Sequence, residues 1–262
     1  MVDIRNVPSL AGSDNCGVPD PVLLLTATVD PRNTPFVKRQ DPRMRLRDYG
    51  KALKLWLADP ATPSIVFAEN SGYDITELMK IHKTCNPRNT SIEFISFADD
   101  DYDRTLGKGY GELRIIAHAL RHSQTIRPQA RLIKVTGRLY LSNIRSLVEG
   151  IGMSPQVDVF CNFRHNLTWA DSRVFCASRR FFDRFMIPMQ EEINDAKGVV
   201  YEHVLARAAH RCLAEGLQWA MMPCALNVVG MSATYNKAYP QSRFSMVQRE
   251  LFRRIRSWAL AH

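Results

Sequence analysis

Cysteine is sparse and never closely paired: Cys16, Cys85, Cys161, Cys176, Cys212 and Cys224 include no C-x-x-C. That spacing excludes a zinc knuckle and a disulfide-stapled scaffold, and it fits a reduced, cytoplasmic protein. Long apolar runs are missing too, so no membrane span is expected. The opening MVDIRNVPSLAGSDNC has no basic segment followed by an apolar core, and a classical secretion signal is not expected there. The 14 prolines and 13 glycines follow no period, which excludes collagen and low-complexity classes. G-x-S-x-G is absent, so a hydrolase elbow has no support. His203 and His210 are seven apart rather than four, which argues against a helical zinc site.

What is present is an ordinary globular composition, 45% apolar and 23% charged, with 35 basic against 26 acidic residues and a net charge of +9. Such a balance implies an anionic partner without choosing among nucleic acid, a membrane surface and a phosphorylated substrate. VLLLTATV (22–29) reads as a buried strand, ended by Asp30-Pro31. A proline-bearing basic connection follows, then helical spacing over 46–58. Further strands are expected at 64–69, 91–97, 131–137 and 157–163, and helices near 77–81 and from Gly109 to about 122. Beyond them lie the aromatic and basic segment RVFCASRRFFDRFM, a helical pattern from Met189 to about Glu215 with a weak point at Lys197-Gly198, and a last helix at the C-terminus. Strands alternating with helices predict an α/β fold with a mostly parallel sheet. One domain is expected, its core about 20–215 and a helical elaboration over 216–262.

In open α/β sheets ligands bind beyond the carboxyl ends of the strands. That edge nominates Thr26 and Thr28 after the first strand, Glu69-Asn70-Ser71 after the second, Lys108 and Gly109 after the third, and Thr136-Gly137-Arg138 after the fourth. Glu69-Asn70-Ser71 reads either as a ligand-facing tripeptide or as a turn bonded to its own backbone. LGKGYGE reads either as a phosphate-approaching glycine loop at a helix N-terminus or as a plain glycine-rich helix entry. Asp99, Asp101 and Asp103 offer oxygen ligands to a divalent ion or form a solvated loop. Arg138 suits a phosphate or a carboxylate.

The order of these pieces, with Glu-Asn-Ser after the second strand, Gly-Lys-Gly-Tyr-Gly-Glu at a helix entry and Lys-Val-Thr-Gly-Arg ending a mid-chain strand, resembles small bacterial glycosyltransferases of polysaccharide and O-antigen biosynthesis. The resemblance covers roughly residues 20–215 and implies a GT-A-like, nucleotide-sugar-binding sheet. It implies a nucleoside-diphosphate sugar as donor and a glycan or polyprenyl-diphosphate-linked acceptor, with transfer expected to invert the anomeric centre. In most such enzymes the fourth strand ends in Asp-x-Asp and holds Mn2+ or Mg2+; here the place reads Thr136-Gly137-Arg138. Metal-independent transfer is therefore expected, with Lys108 and Arg138 neutralising the diphosphate and Asp99, Asp101 and Asp103 as fallback ligands. The resemblance also suggests Glu202 as base, opening a late helix, with Asp171 as its rival.

Arg173, Arg179 and Arg180, interleaved with aromatic residues, are expected on the acceptor side, the alternative being a core-packing helix with solvated arginines. QRELFRRIRSWALAH carries Leu251, Phe252, Ile255 and Trp258 at helical spacing beside four arginines, a pattern that suits an anionic membrane surface or simple packing on the domain. Nucleic-acid binding is the rival class. The basic residues are spread among acids and no nucleic-acid-binding motif is visible, so no nucleic acid is expected. A non-catalytic nucleotide-binding domain is the other rival.

Overall fold

The computed structural model describes residues 20–232, 236–239, 250, 251 and 253. Its chain runs β1 (Val22–Ala27), α1 (Pro42–Ala58), β2 (Ile65–Glu69), α2 (Thr76–Thr84), β3 (Ile92–Ser96), α3 (Lys108–His122), β4 (Arg131–Thr136), β5 (Leu139–Leu141) and α4 (Ile144–Gly152). It continues through β6 (Val159–Phe160), β7 (Phe163–Arg164), β8 (Trp169–Ala170), β9 (Val174–Ser178), a helical turn α5 (Arg179–Phe181), α6 (Tyr201–Ala214), β10 (Trp219–Ala220) and β11 (Val228–Gly230).

Seven strands form the central sheet in the order β10-β6-β9-β4-β1-β2-β3. All pairs are parallel except those made by β9, which runs against both β4 and β6. The sheet is mostly parallel, as the strand–helix alternation predicts. β1 is buried at every position, with alternate residues facing opposite layers. Val22 and Leu24 pack toward α3 and α6, and Leu23 and Leu25 toward α1, α2 and α4. Helix α1 starts where Asp41 accepts hydrogen bonds from the backbone N–H groups of Arg43 and Met44, with Pro42 in its first turn. Among the described residues no helix is long and apolar enough to cross a membrane.

Three expectations are corrected. The strand at 157–163 is broken into β6 and β7, because β6 pairs with β9 while β7 turns away into a hairpin with β8. The first part of RVFCASRRFFDRFM is a strand: β9 inserts between β4 and β6, so Val174–Ala177 are core residues. Its second part forms α5 and a π-helix, Phe182–Met186, which buries Phe181, Phe182 and Phe185. The helical pattern from Met189 breaks near the weak point at Lys197-Gly198, where Asn194 bridges Val199 before α6 begins. Gly198 takes a left-handed conformation there, φ +75°. The C-terminal helix lies mostly outside the described residues; Glu250 pairs with Arg253, and Leu251 is exposed.

Candidate active site

A cavity of about 470 Å3 opens at the carboxyl ends of β1 and β4. Its floor is Thr26, Ala27, Thr28 and Thr136. Arg138 follows β4, Lys108 and Glu112 come from the first turns of α3, and Arg45 and Tyr49 come from α1. The antiparallel course of β9 brings the loop before it to this same edge, since Val174 pairs with Val135 and the Thr136 N–H bonds the Arg173 carbonyl. Asp171, Ser172 and Arg173 therefore line the cavity, and Glu202 reaches it from the first turn of α6.

Two carboxylates proposed for catalysis meet here in different states. Asp171 is buried and clamped by Arg173, whose Nε lies 2.9 Å from Oδ1 and whose NH2 lies 2.5 Å from Oδ2. That pairing is the main reason the Arg173 guanidinium is held well above its ordinary pKa. Glu202 accepts a hydrogen bond from the Ser172 hydroxyl at 2.7 Å and makes no ion pair among the described residues. The helix salt bridge from Arg207 that would have given Glu202 a purely structural role goes instead to Glu192, at 2.9 Å.

The sequence reading missed the most unusual groups. Lys134 is fully buried in β4, and its Nζ lies 2.6 Å from Glu112 Oε1 and 2.6 Å from the Ser172 carbonyl. Thr26 also donates to Glu112, at 2.8 Å. Burial alone would raise the Glu112 pKa, but Lys134 and these hydrogen bonds outweigh it and hold the carboxylate below its ordinary range. Arg45 is 4% exposed, yet among the described residues it has no carboxylate partner. Its nitrogens donate to the carbonyls of Thr28 and Arg39 and to the Tyr49 hydroxyl. Burial lowers its pKa and nearby Arg138 adds to that, while Tyr49 and, more weakly, the Asp48 carboxylate held by Arg39 oppose it. The Arg138 side chain donates from Nε to the Met231 carbonyl at 2.9 Å. A positively charged residue one turn into the first helix is a signal available in sequence; burial of Arg45 is not.

Other nominated residues stand elsewhere. Glu69 is fully buried and accepts from the N–H groups of Val29 and Ser71 and from the Ser71 hydroxyl, while Asn70 accepts from Thr28 and Ser71 from the Asp30 N–H. This tripeptide does not line the cavity; it holds the loop after β1. The glycine loop is also filled from within the protein. A side chain at Gly107, φ +97°, would collide with Asp195, and one at Gly109 would come within 2.8 Å of Tyr201. Asp195 accepts the Lys108 N–H at 3.1 Å, so an internal carboxylate occupies the start of α3 where a diphosphate was expected. Gly137 similarly packs against the Thr26 carbonyl.

Arg179 pairs with Asp183 and Arg180 with Asp158, away from the cavity, leaving Arg173 alone of the three on its wall. Asp99 is buried against Arg114, Asp101 is exposed, and Asp103 caps the turn at Thr105. The three aspartates do not converge, and no cluster of three or more His, Cys, Asp or Glu suited to a metal ion occurs among the described residues.

No protein-family model and no curated protein sequence matches the chain. Solved structures with a similar chain path include a mannosyltransferase from Pyrobaculum calidifontis in complex with GDP-mannose and Mn2+, at 11% identity and TM-score 0.44 over 78% of this chain. This chain spans 54% of that protein's length. Another is a protein from Desulfovibrio desulfuricans assigned to the nucleotide-diphospho-sugar transferases, at 11% identity and TM-score 0.45, covering 77% of this chain and 79% of the other.

Proposed function

We propose that the chain is a glycosyltransferase that moves a sugar from a nucleoside diphosphate to a hydroxyl of a glycan or polyprenyl-diphosphate-linked acceptor, with inversion. The observation that carries this reading is the cavity's charge: Arg45 is buried with no carboxylate in ion-pair contact among the described residues, and Arg138 and Lys108 share the same wall. A buried guanidinium is costly unless an anion meets it, and a departing diphosphate is such an anion. In the reaction Glu202 takes the proton of the acceptor hydroxyl. The oxygen then bonds the anomeric carbon as the carbon–oxygen bond to the diphosphate breaks, and the leaving oxygen keeps the electron pair near Arg45 and Arg138.

A divalent ion, which the GT-A resemblance implies, fits the present donors poorly. Glu112 is committed to Lys134 and Asp171 to Arg173, and Arg138 stands where Asp-x-Asp would end β4. Turnover is expected to persist within about threefold in excess EDTA, because fixed cations supply the charge. Abolition by EDTA with recovery on adding Mn2+ or Mg2+ defeats this point.

Donor binding is checked by calorimetry with UDP, GDP, CMP and dTDP, after a thermal-shift panel of the corresponding sugars. Each charge-assisted contact contributes about 1.5–3 kcal/mol, so Arg45→Gln and Arg138→Ala should each weaken the best ligand about tenfold or more, and Lys108→Ala should weaken it to a lesser degree. Unchanged affinity in all three removes these residues from the donor site. Slow hydrolysis of the sugar nucleotide separates a transferase from a domain that only binds.

A further inference from the structure

Helix α1 carries a one-sided strip that neither the cavity nor the core uses. Its buried face is Leu46, Tyr49, Leu53, Trp56 and Leu57. On the opposite face Arg43, Arg47, Lys51 and Lys54 are all exposed, and at 3.6 residues per turn they fall with Met44 and Leu55 inside an arc of about 120°. The only acid within α1, Asp48, is buried and paired with Arg39. None of the four cations makes an ion pair among the described residues. Several surface arginines elsewhere are matched, Arg179 with Asp183, Arg184 with Glu215, Arg207 and Arg211 with Glu192. The exposed Arg88, Arg121, Arg127, Arg145 and Arg164 have no ion pair among the described residues, but each lies on a different segment, whereas the four cations of α1 share one face. Like charges three and four residues apart weaken a helix, so the strip is no device for holding α1 together.

Apolar side chains lie along the same strip. Met44 is 39% exposed, Leu55 43%, and Phe36, in the loop that leads into α1, 61%. Phe36 also holds a left-handed backbone, φ +62°, which an aromatic residue rarely adopts. A partner offering only phosphates would be met by the cations alone. Cations flanked by exposed apolar side chains match a surface that is anionic at its headgroups and apolar just beneath. We propose that this face of α1, with Phe36, is a docking surface for an anionic lipid bilayer. The strip begins beside the cavity, since Val37 and Arg45, the sequence neighbours of Phe36 and Met44, line it. Docking there stands independently of the transferase reading.

The test is co-sedimentation of the full chain with vesicles of phosphatidylcholine alone and of phosphatidylcholine with an equal part of phosphatidylglycerol. Binding is expected to the mixed vesicles only, and to weaken as salt is raised. Each basic residue near an anionic surface multiplies binding roughly fivefold, so Lys51→Gln with Lys54→Gln should reduce it at least about tenfold. Phe36→Ser with Leu55→Ser, which leaves every charge in place, should also reduce it at least severalfold at the same salt concentration. Both variants alter exposed side chains, and an unchanged melting temperature confirms that they fold. Failure of the parent chain to bind the mixed vesicles overturns the proposal. So does full binding by the Lys51/Lys54 variant, which assigns the membrane contact to another segment. RNA binding without vesicle binding overturns it in favour of a nucleic-acid surface.

Discussion

Glu202→Gln is expected to lower kcat by about 10²–10⁴-fold, the range a positioned base contributes, while donor affinity stays within about threefold. The substitution keeps the side chain's size and its hydrogen bond from Ser172 but removes its basicity. Glu202 is the better base because its partner is a neutral hydroxyl at 2.7 Å, whereas both oxygens of Asp171 are spent on the Arg173 guanidinium. Neither oxygen of Asp171 is left to face an acceptor hydroxyl without first breaking a bond to Arg173. Asp171→Asn should act differently: it frees Arg173, raising KM more than it lowers kcat. Turnover is measured under donor saturation so that kcat and KM separate. Glu202→Gln within threefold of the parent removes Glu202 as base, and a hundredfold fall in Asp171→Asn at the same time passes the role to Asp171.

The parallel core was legible because each of its strands is a short apolar run closed by turn residues: VLLLTA before Asp30-Pro31, IVFAE before Asn70-Ser71-Gly72, RLIKVT before Gly137. β9 was not, since VFCAS runs straight into Arg179, Arg180 and a row of phenylalanines, and nothing local separates a buried strand from the helical turns that follow it. The same limit governs the site. Thr26, Thr136 and Arg138 follow from where strands end, whereas Asp195 reaches Lys108 across 87 residues, Ser172 reaches Glu202 across 30, and Lys134 meets Glu112 only because α3 packs on β1, the neighbour of β4. Lys134 is also a charged residue inside an apolar strand, and spacing alone cannot tell an outward-facing lysine from a buried one. Glu69-Asn70-Ser71 shows the converse. Three polar residues at the correct edge of the sheet were readable as a site, and their side chains are consumed in fixing the β1 loop.

Lys134→Met is expected to destabilise the fold by about 3–5 kcal/mol, the cost of removing one partner of a buried ion pair. At roughly 2–4 °C per kcal/mol for a chain of this size, the melting temperature falls by about 10 °C. Methionine fills nearly the same volume beside Phe175 and Tyr201, so the loss comes from Glu112, left with the Thr26 hydroxyl and only the weaker, non-contacting influence of Arg138. The dependence on pH then reverses. In the parent the Glu112 pKa is depressed in the folded state, so its stabilisation is complete above the ordinary glutamate range and is lost as pH falls below it toward the folded value. In Lys134→Met burial acts unopposed by Lys134 and raises that pKa. The folded state then binds the proton more tightly than the unfolded chain, and stability falls as pH rises through and above the ordinary range. Melting followed from acid to neutral pH should show the two slopes with opposite sign. Glu112→Gln with Lys134→Met removes both charges and should recover at least half the loss, because a buried pair costs desolvation that a neutral pair does not. Equal destabilisation in the single and double variants would show that Lys134 matters through its contacts with Ser172 and the aromatic rings, and not through Glu112.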